Sequence, residues 1–277
     1  MTGAAGFAGL LDDAAVFPPG ELPLAEAVVA HGRHREAAYA ELVGPFVARG
    51  DDLAAVVAAA EAGGVDELPL LVTTPIDRVA AVLDVLAGAP RLRAAGLEVT
   101  LPEGVDPAAL PELLRAAGEV PVAVEVPRDA RRPAVIAAIA EAGVTAKLRT
   151  GGVRAELYPD EQELAEAIAA LVARGVAFKA TAGLHHALRN TDPETGFEQH
   201  GFLNVLAATA AALRGAPVEE LRDLLAERDA ATVVAAVRDL DPRARGLFRS
   251  FGTCSIDEPV AELVELGLLP PAWGDAA

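Results

Sequence analysis

Residues 146–181 read AKLRTGGVRAELYPDEQELAEAIAALVARGVAFKAT, and they contain the repeating unit that decides the fold. A short apolar run over residues 146–150 is followed by a helical pattern over residues 160–173 and by a second apolar run over residues 176–181. A helix between two short apolar strands is the usual building unit of a parallel sheet. This stretch therefore predicts an α/β protein.

The same unit recurs along the chain at a spacing of roughly 30 residues. A helical pattern over residues 107–117 follows the fourth apolar run. A polar loop that runs to His200 and three additional helical patterns, over residues 202–213, 218–228 and 231–240, separate the last two apolar runs. The eight predicted strands cover residues 9–12, 41–48, 68–74, 97–101, 120–126, 146–150, 176–181 and 247–253.

The number of these units indicates a closed barrel. A chain of 277 residues suits one (β/α)8 barrel, which typically needs roughly 250 residues. An open doubly wound sheet is the alternative, but the first turn, DDAAVFPPG, lacks the GxGxxG phosphate cradle of such sheets. The sequence therefore predicts a single TIM-barrel domain over residues 1–277, with extra helices between strands 7 and 8.

The loop after strand 1, VFPPGELP, is long for a turn between a strand and the next helix, which favours an active-site role for this loop.

The composition narrows the class of partner. The net charge of −18 at pH 7 argues against nucleic acid, because no cluster of Lys and Arg could neutralise a run of phosphates. We find no secretory signal and no apolar run of the roughly 18 residues that a membrane helix needs. We therefore expect a cytoplasmic protein with a small-molecule partner and no membrane partner, and we leave self-association into a homo-oligomer open.

A single cysteine, Cys254, excludes an internal disulfide and is interpreted as a small buried hydrophobe.

Lysine is rare in this chain: of 23 Lys and Arg residues, only Lys147 and Lys179 are lysines. Both lie in apolar runs, where a spare lysine would be costly. Side chains alternate along a strand, so Lys147 shares a face with Arg149 and Lys179 shares one with Thr181. If these faces point into the barrel, the two ammonium groups lie close together, and one lysine could be neutral near pH 7 and act as a nucleophile. The alternative is that each lysine holds a carboxylate or phosphate as a fixed charge.

Polar residues near the carboxyl ends of the strands are the candidate binding site, because barrel enzymes react at that end. The glycines after strands 6, 7 and 8 could cradle an anion with their backbone N–H groups, which favours an anionic substrate. Thr74 and Glu125 also lie at predicted strand ends. The predicted substrate-binding residues are Arg149, Thr150, Gly151, Gly152, Thr181, Gly183, Asn204, Ser250, Gly252 and Ser255.

Two carboxylates at the end of strand 1, Asp12 and Asp13, are candidates for acid-base chemistry. Paired carboxylates cost stability unless they bind something. The alternative is a structural role, as a helix N-cap or in a salt bridge to Arg149.

The histidines divide into two groups. His185, His186 and His200 follow strand 7 and are candidates for proton transfer, because imidazole titrates near neutral pH. The same three side chains could instead hold a divalent metal. For His31 and His34, at the end of the first helix, we expect a structural role beside the helix dipole.

The runs AKLRTGG and VAFKATAGL resemble the strand-six and strand-seven lysine motifs of deoxyribose-phosphate aldolase and related class I aldolases, which carry KTSTG-like and KASGG-like runs there. The resemblance implies that Lys147 forms a Schiff base and that Lys179 tunes it. It has three departures. Arg149 replaces a small polar residue, the strand-four aspartate of the aldolases has no clear match in LEVTLP, and the histidines have no counterpart in that family.

The residues and the resemblance together predict an aldolase-like lyase that acts on a small phosphorylated or carboxylated carbonyl compound through a lysine Schiff base. No cofactor is predicted. Two alternatives stay open. One is a metal-assisted hydrolase or isomerase in which His185, His186 and His200 bind a divalent metal, and the other is a non-catalytic barrel that only binds an anion.

Overall fold

Eight parallel strands form one closed barrel in the computed structural model, which describes residues 4–238 and 240–276. The barrel strands are β1 (Leu11–Asp13), β2 (Val43–Arg49), β3 (Leu68–Pro75), β4 (Leu92–Thr100), β5 (Val122–Glu125), β6 (Thr145–Arg149), β7 (Phe178–Thr181) and β10 (Phe248–Thr253). Around the barrel they follow the order β1, β10, β7, β6, β5, β4, β3 and β2. Each strand pairs in parallel with its neighbours. The predicted (β/α)8 TIM barrel is confirmed.

Helices follow the strands around the barrel. In the described residues they are α1 (Leu24–Glu36), α2 (Leu53–Ala62), α3 (Val79–Ala87), α4 (Leu110–Leu113), α5 (Arg132–Ala142), α6 (Glu161–Ala173), α7 (Phe202–Leu213), α8 (Val218–Ala226), α9 (Ala230–Arg238), α10 (Pro242–Leu247) and α11 (Asp257–Glu265). The extra helices between the last two barrel strands are confirmed. Residues 1–3, 239 and 277, which belong to the predicted domain, lie outside the described residues, and residue 239 falls in the predicted helix 231–240. Among the described helices, none has the length and apolar character needed to cross a membrane.

Helix α6 shows how the local sequence builds one unit of the barrel. The Asp160 side chain accepts a hydrogen bond from the Glu163 backbone N–H at 2.7 Å, which satisfies a free donor at the start of the helix. Leu164, Ile168 and Leu171 recur at helical spacing and are at most 2% exposed. Full burial of each such side chain stabilises the fold by roughly 1.5–3 kcal/mol.

The structure differs from the prediction after two strands. A two-stranded antiparallel hairpin, β8 (Asn190–Thr191) with β9 (Glu198–Gln199), occupies what the sequence predicts as a polar loop after β7. After β4, the expected continuous helix is divided into 3-10 turns around the four-residue α4. Pro107 and Pro111 lie in this segment, and proline supplies no backbone N–H for a helical hydrogen bond.

Candidate active site

Four charged side chains lie inside the barrel, where water barely reaches them. Asp12, Glu98, Lys147 and Lys179 are between 2% and 4% exposed. Lys147 on β6 and Lys179 on β7 are direct partners across the sheet. Because an unpaired buried charge is very costly, each of these groups needs a partner of opposite sign.

Lys147 lies between two carboxylates. Its Nζ is 3.0 Å from Oε2 of Glu98 on β4 and 3.0 Å from Oε2 of Glu125 on β5. The contact with Glu98 is a hydrogen bond, whereas the contact with Glu125 has the distance of an ion pair without suitable hydrogen-bond geometry. Oε2 of Glu125 is therefore a buried acceptor without a hydrogen bond, and its other oxygen accepts from Arg149 Nε at 3.2 Å.

Lys179 has a different pair of partners. Its Nζ is 2.7 Å from Oδ2 of Asp12 and forms a second ion pair with Oε1 of Glu98. Ser250 on β10 donates its hydroxyl hydrogen to the same Asp12 oxygen at 2.6 Å. Glu98 therefore joins the two lysines, one on each carboxylate oxygen.

These contacts determine the charge states. Burial alone would raise the pKa of Glu98, but the ammonium groups of Lys147 and Lys179 outweigh it and lower that pKa to about 2. Burial alone would lower the pKa of Lys179, but the carboxylates of Asp12 and Glu98 outweigh it and raise that pKa above its usual value. Lys179 is therefore a stable ammonium group at neutral pH. The sequence predicted that repulsion between two close ammonium groups could leave one lysine neutral. Because Glu98 lies between the two lysines and pairs with both, this repulsion does not make Lys179 the neutral nucleophile.

Two cavities reach this network from opposite ends of the barrel. The larger, about 440 Å³, opens at the carboxyl ends of the strands, and Lys147, Glu98, Glu125 and Arg149 line it. The smaller, about 230 Å³, lies at the amino ends of the strands and is lined by Lys179 together with Asp12 and Ser250. We call the larger one the upper cavity and the smaller one the lower cavity. Of the two lysines, Lys147 is thus the one that a ligand at the usual reactive end of a barrel would meet.

Four of the predicted substrate-binding residues line the upper cavity, namely Arg149, Gly152, Thr181 and Gly252. Its wall also includes Arg49, whose guanidinium carbon lies 4.4 Å from the centre of the Phe17 ring. Phe17 belongs to the long loop after β1, so this loop does reach the cavity, as its length predicted.

The other predicted binding residues have structural contacts. Thr150 is fully buried and donates its hydroxyl hydrogen to the Ala182 carbonyl oxygen at 2.6 Å. A Cβ on Gly151 would lie 2.5 Å from the Tyr158 ring and 2.8 Å from the Cα of Gly183, whose φ is +72°. These two glycines are therefore required for the close approach of the loops after β6 and β7.

Asn204, Ser250 and Ser255 also lie outside the upper cavity. The Asn204 amide is fully buried and holds the loop after β7 to α8. Its Oδ1 accepts a hydrogen bond from the Arg189 backbone N–H at 2.9 Å. Its Nδ2 donates to the carbonyl oxygens of Leu224 and Glu227, each at 2.8 Å. Ser250 is bonded to Asp12 at the lower cavity. Ser255 Oγ accepts from the Glu258 backbone N–H at 3.3 Å at the start of α11. Their placement does not match the expected contact with a ligand at the carboxyl ends.

The paired aspartates separate. Asp12 points into the barrel, whereas Asp13 accepts a hydrogen bond from its own turn, at Ala15 N, and contacts His31 Nδ1 at 2.9 Å. His31 is 1% exposed, so its structural role is that of a buried partner of Asp13. Neighbouring residues of a strand face opposite sides, which explains why only Asp12 reaches the lysines.

The three histidines after β7 also separate. His185 lines the upper cavity and its Nδ1 lies 3.4 Å from the Cys254 sulfur. His186 contacts Glu262 on α11 at 2.6 Å, and this hydrogen bond raises the pKa of its imidazole. His200 is fully buried against the Pro159 carbonyl at 2.8 Å, and burial lowers its pKa to about 4. The expected cluster of three histidines does not form.

This separation bears on the metal alternative. Among the described residues, no three His, Cys, Asp or Glu side chains are placed so that together they could hold a metal ion.

Cys254 is partly exposed and lines the upper cavity, so its interpretation as a small buried hydrophobe is wrong.

Glu98 is the residue of this site that the sequence did not reveal. We found no match for the aldolase strand-four aspartate in LEVTLP, yet β4 places a carboxylate in contact with both lysines. A signal was present: Glu98 lies between the buried residues Leu97 and Val99, and a lone carboxylate in an apolar strand points inward only when it is paired.

In the comparison with known proteins, no protein-family model matches this chain, and no curated protein matches it.

Proposed function

We propose that this chain is an enzyme, an aldolase-like lyase that acts on a small anionic carbonyl compound through a Schiff base on Lys147. The observation that carries the proposal is the place of the Lys147 amine. It is 4% exposed, it lies between two carboxylates, and it lines a cavity at the reactive end of a TIM barrel.

The first step requires Lys147 to lose a proton and to attack the carbonyl carbon of the substrate. The carbinolamine that forms then loses water and leaves an imine. Glu125 is the better proton acceptor of the two neighbours, because its Oε2 carries no hydrogen bond. Glu98 is a weak base, since both lysines lower its pKa to about 2. Protonation of the imine nitrogen gives an iminium group, which accepts the electron pair of the bond that breaks.

Arg149 favours an anionic substrate. Its side chain is 34% exposed, and at present it is paired with Glu125. The pKa of Glu125 is lowered because Lys147 and Arg149 together outweigh the effect of burial. A substrate carboxylate or phosphate that takes over the Arg149 guanidinium would leave Glu125 with one cation fewer. Its pKa would then rise toward the range of a useful base.

Borohydride trapping tests the proposal, with glyoxylate as the anionic aldehyde and glycolaldehyde as its neutral two-carbon counterpart. We expect a reduced glyoxylate adduct on Lys147 and none on Lys179, because Lys179 stays protonated and does not line the upper cavity. Glycolaldehyde should react more slowly, since it lacks the carboxylate. Peptide mass spectrometry separates the two sites, because the chain has only two lysines.

Two controls define the result. In urea both lysines should react alike, which shows that the preference belongs to the folded site. Lys147→Arg should abolish the adduct. An unmodified Lys147 across a panel of anionic aldehydes and ketones would contradict the lyase, and anion binding that survives in Lys147→Arg would then favour the non-catalytic barrel.

A further inference from the structure

Three loops meet at the rim of the upper cavity. Gly20 follows β1, His185 follows β7 and Cys254 follows β10. The Cys254 sulfur contacts His185 Nδ1 at 3.4 Å. A Cβ on Gly20 would lie 3.0 Å from the Cys254 Cβ and 3.2 Å from the Ala15 carbonyl oxygen, so a larger residue at this position would require its neighbours to shift.

The charge states of the pair fix the direction of its hydrogen bond. Burial raises the pKa of Cys254 to about 11, so the sulfur keeps its hydrogen at neutral pH. Burial also lowers the pKa of His185, so the imidazole is neutral. The charged groups around the pair are His186 and Asp192 near the histidine, and Glu258 and Asp13 near the cysteine.

A neutral imidazole has one donor nitrogen and one acceptor nitrogen. A thiol sulfur is only a weak acceptor, whereas this thiol keeps its hydrogen and can donate it to His185 at 3.4 Å. Nδ1 of His185 must then be the acceptor, and the ring hydrogen is on Nε2. In the part of the chain that the structure describes, no residue accepts a hydrogen bond from this nitrogen, although His185 lines the cavity.

We propose that Cys254 is a positioning residue that holds His185 in the tautomer with hydrogen on Nε2, so that His185 donates a hydrogen bond to an acceptor oxygen of a ligand in the upper cavity. His185 thus binds an oxygen instead of removing a proton. The tautomer is a property of the free protein and does not depend on the lyase. The contact with a ligand oxygen rests on the proposed function.

Nitrogen-15 NMR of the histidine side chains at pH 7.5 tests the tautomer. We expect an unprotonated Nδ1 and a protonated Nε2 for His185, whose signals are assigned by their loss in His185→Gln. Cys254→Ala should produce a mixture of the two tautomers, and Cys254→Ser should keep the wild-type form because its hydroxyl group can also donate. His186 is the matched control: its Nδ1 faces Glu262, so both variants should leave its signals unchanged. A protonated Nδ1 in the wild type, or an unchanged His185 in Cys254→Ala, would overturn the proposal.

Glyoxylate tests the ligand contact separately. Its addition should shift the Nε2 resonance of His185 and leave that of His186 in place. The rate of glyoxylate trapping on Lys147 should fall about fivefold in Cys254→Ala, as for the loss of one hydrogen bond, and Cys254→Ser should restore it. Trapping on Lys147 without a shift at His185 would overturn the contact alone. A shift at His185 without trapping would support the contact and contradict the lyase.

Discussion

Lys147 and Lys179 have identical side chains, and their surroundings give them different roles. Both contact Glu98, but the second partner of Lys147 is Glu125 at the upper cavity, and that of Lys179 is Asp12 at the lower cavity. In the proposed function, Lys147 exchanges its partner for a ligand. Lys179 is held by two carboxylates that have almost no contact with water, so its ammonium group mainly balances their charge.

Lys179→Met tests this division of roles. The substitution leaves Asp12 without its cation and Glu98 with only Lys147, and breaking a buried ion pair typically costs about 3–5 kcal/mol. We expect a loss of that size in the free energy of unfolding, measured by urea denaturation at pH 7. Arg222→Met, which breaks an exposed pair with Asp223, is the control and should leave the urea midpoint unchanged. An equally small effect in Lys179→Met would contradict the buried network.

At the scale of secondary-structure elements, the loop after β7 is held by buried polar contacts in addition to the apolar packing of Leu184 and Ala187. Asn204 on α7 bonds the Arg189 backbone N–H and two carbonyls near the end of α8. Arg189 itself is paired with Glu161 at the start of α6 and with Glu198 in the hairpin. This arrangement fixes the loop that carries His185 at the cavity, although Asn204 lies too deep to touch a ligand there.

Asn204→Leu should therefore reduce stability without a primary effect on chemistry. It would leave one buried N–H without a partner, at about 1–3 kcal/mol, and two partly buried carbonyls without partners at a smaller cost. We expect a lower unfolding midpoint in calorimetry, together with glyoxylate trapping on Lys147 close to the wild-type rate at 15 °C. Thr209→Val on the same helix is the matched control. It removes one hydroxyl bond to the Val205 carbonyl and should cost less. Lost trapping in a folded Asn204→Leu protein would favour the substrate-binding role that the sequence suggested.

For the whole molecule, the pattern of alternating elements was sufficient to predict the barrel, because a repeated βα unit has few ways to bury its apolar faces. The same alternation predicted that Lys147 and Lys179 are neighbours. It could not show which polar residues face inward when two are adjacent, as in Asp12 and Asp13. Nor could it show contacts across the barrel, since Glu98 is 49 residues from Lys147 and 81 from Lys179. Long-range pairing depends on barrel closure, which local sequence does not encode.

The charge network crosses the barrel and should therefore appear in the pH dependence of global stability. The pKa of Glu98 is lowered in the folded protein from its ordinary value of 4.5 to about 2. A lowered carboxyl pKa contributes stability that is present above the unfolded pKa and is lost as the pH falls through the folded pKa. For Glu98 this window runs from about pH 4.5 down to about pH 2, and the contribution is about 3 kcal/mol.

Glu98→Gln removes this titration while keeping the size of the side chain. At pH 7 the variant should be less stable than the wild type, because the lysines lose a carboxylate that joins them. The difference should shrink as the pH falls below about 4.5, since protonation removes the same charge from the wild type. Val99→Ala, the next residue of β4, is the matched control: it removes buried apolar surface and no titratable group, so its destabilisation should stay constant with pH. Urea unfolding between pH 7 and pH 3 measures both differences. A gap for Glu98→Gln that is constant or grows toward low pH would mean that Glu98 is not an ionised bridge between the two lysines.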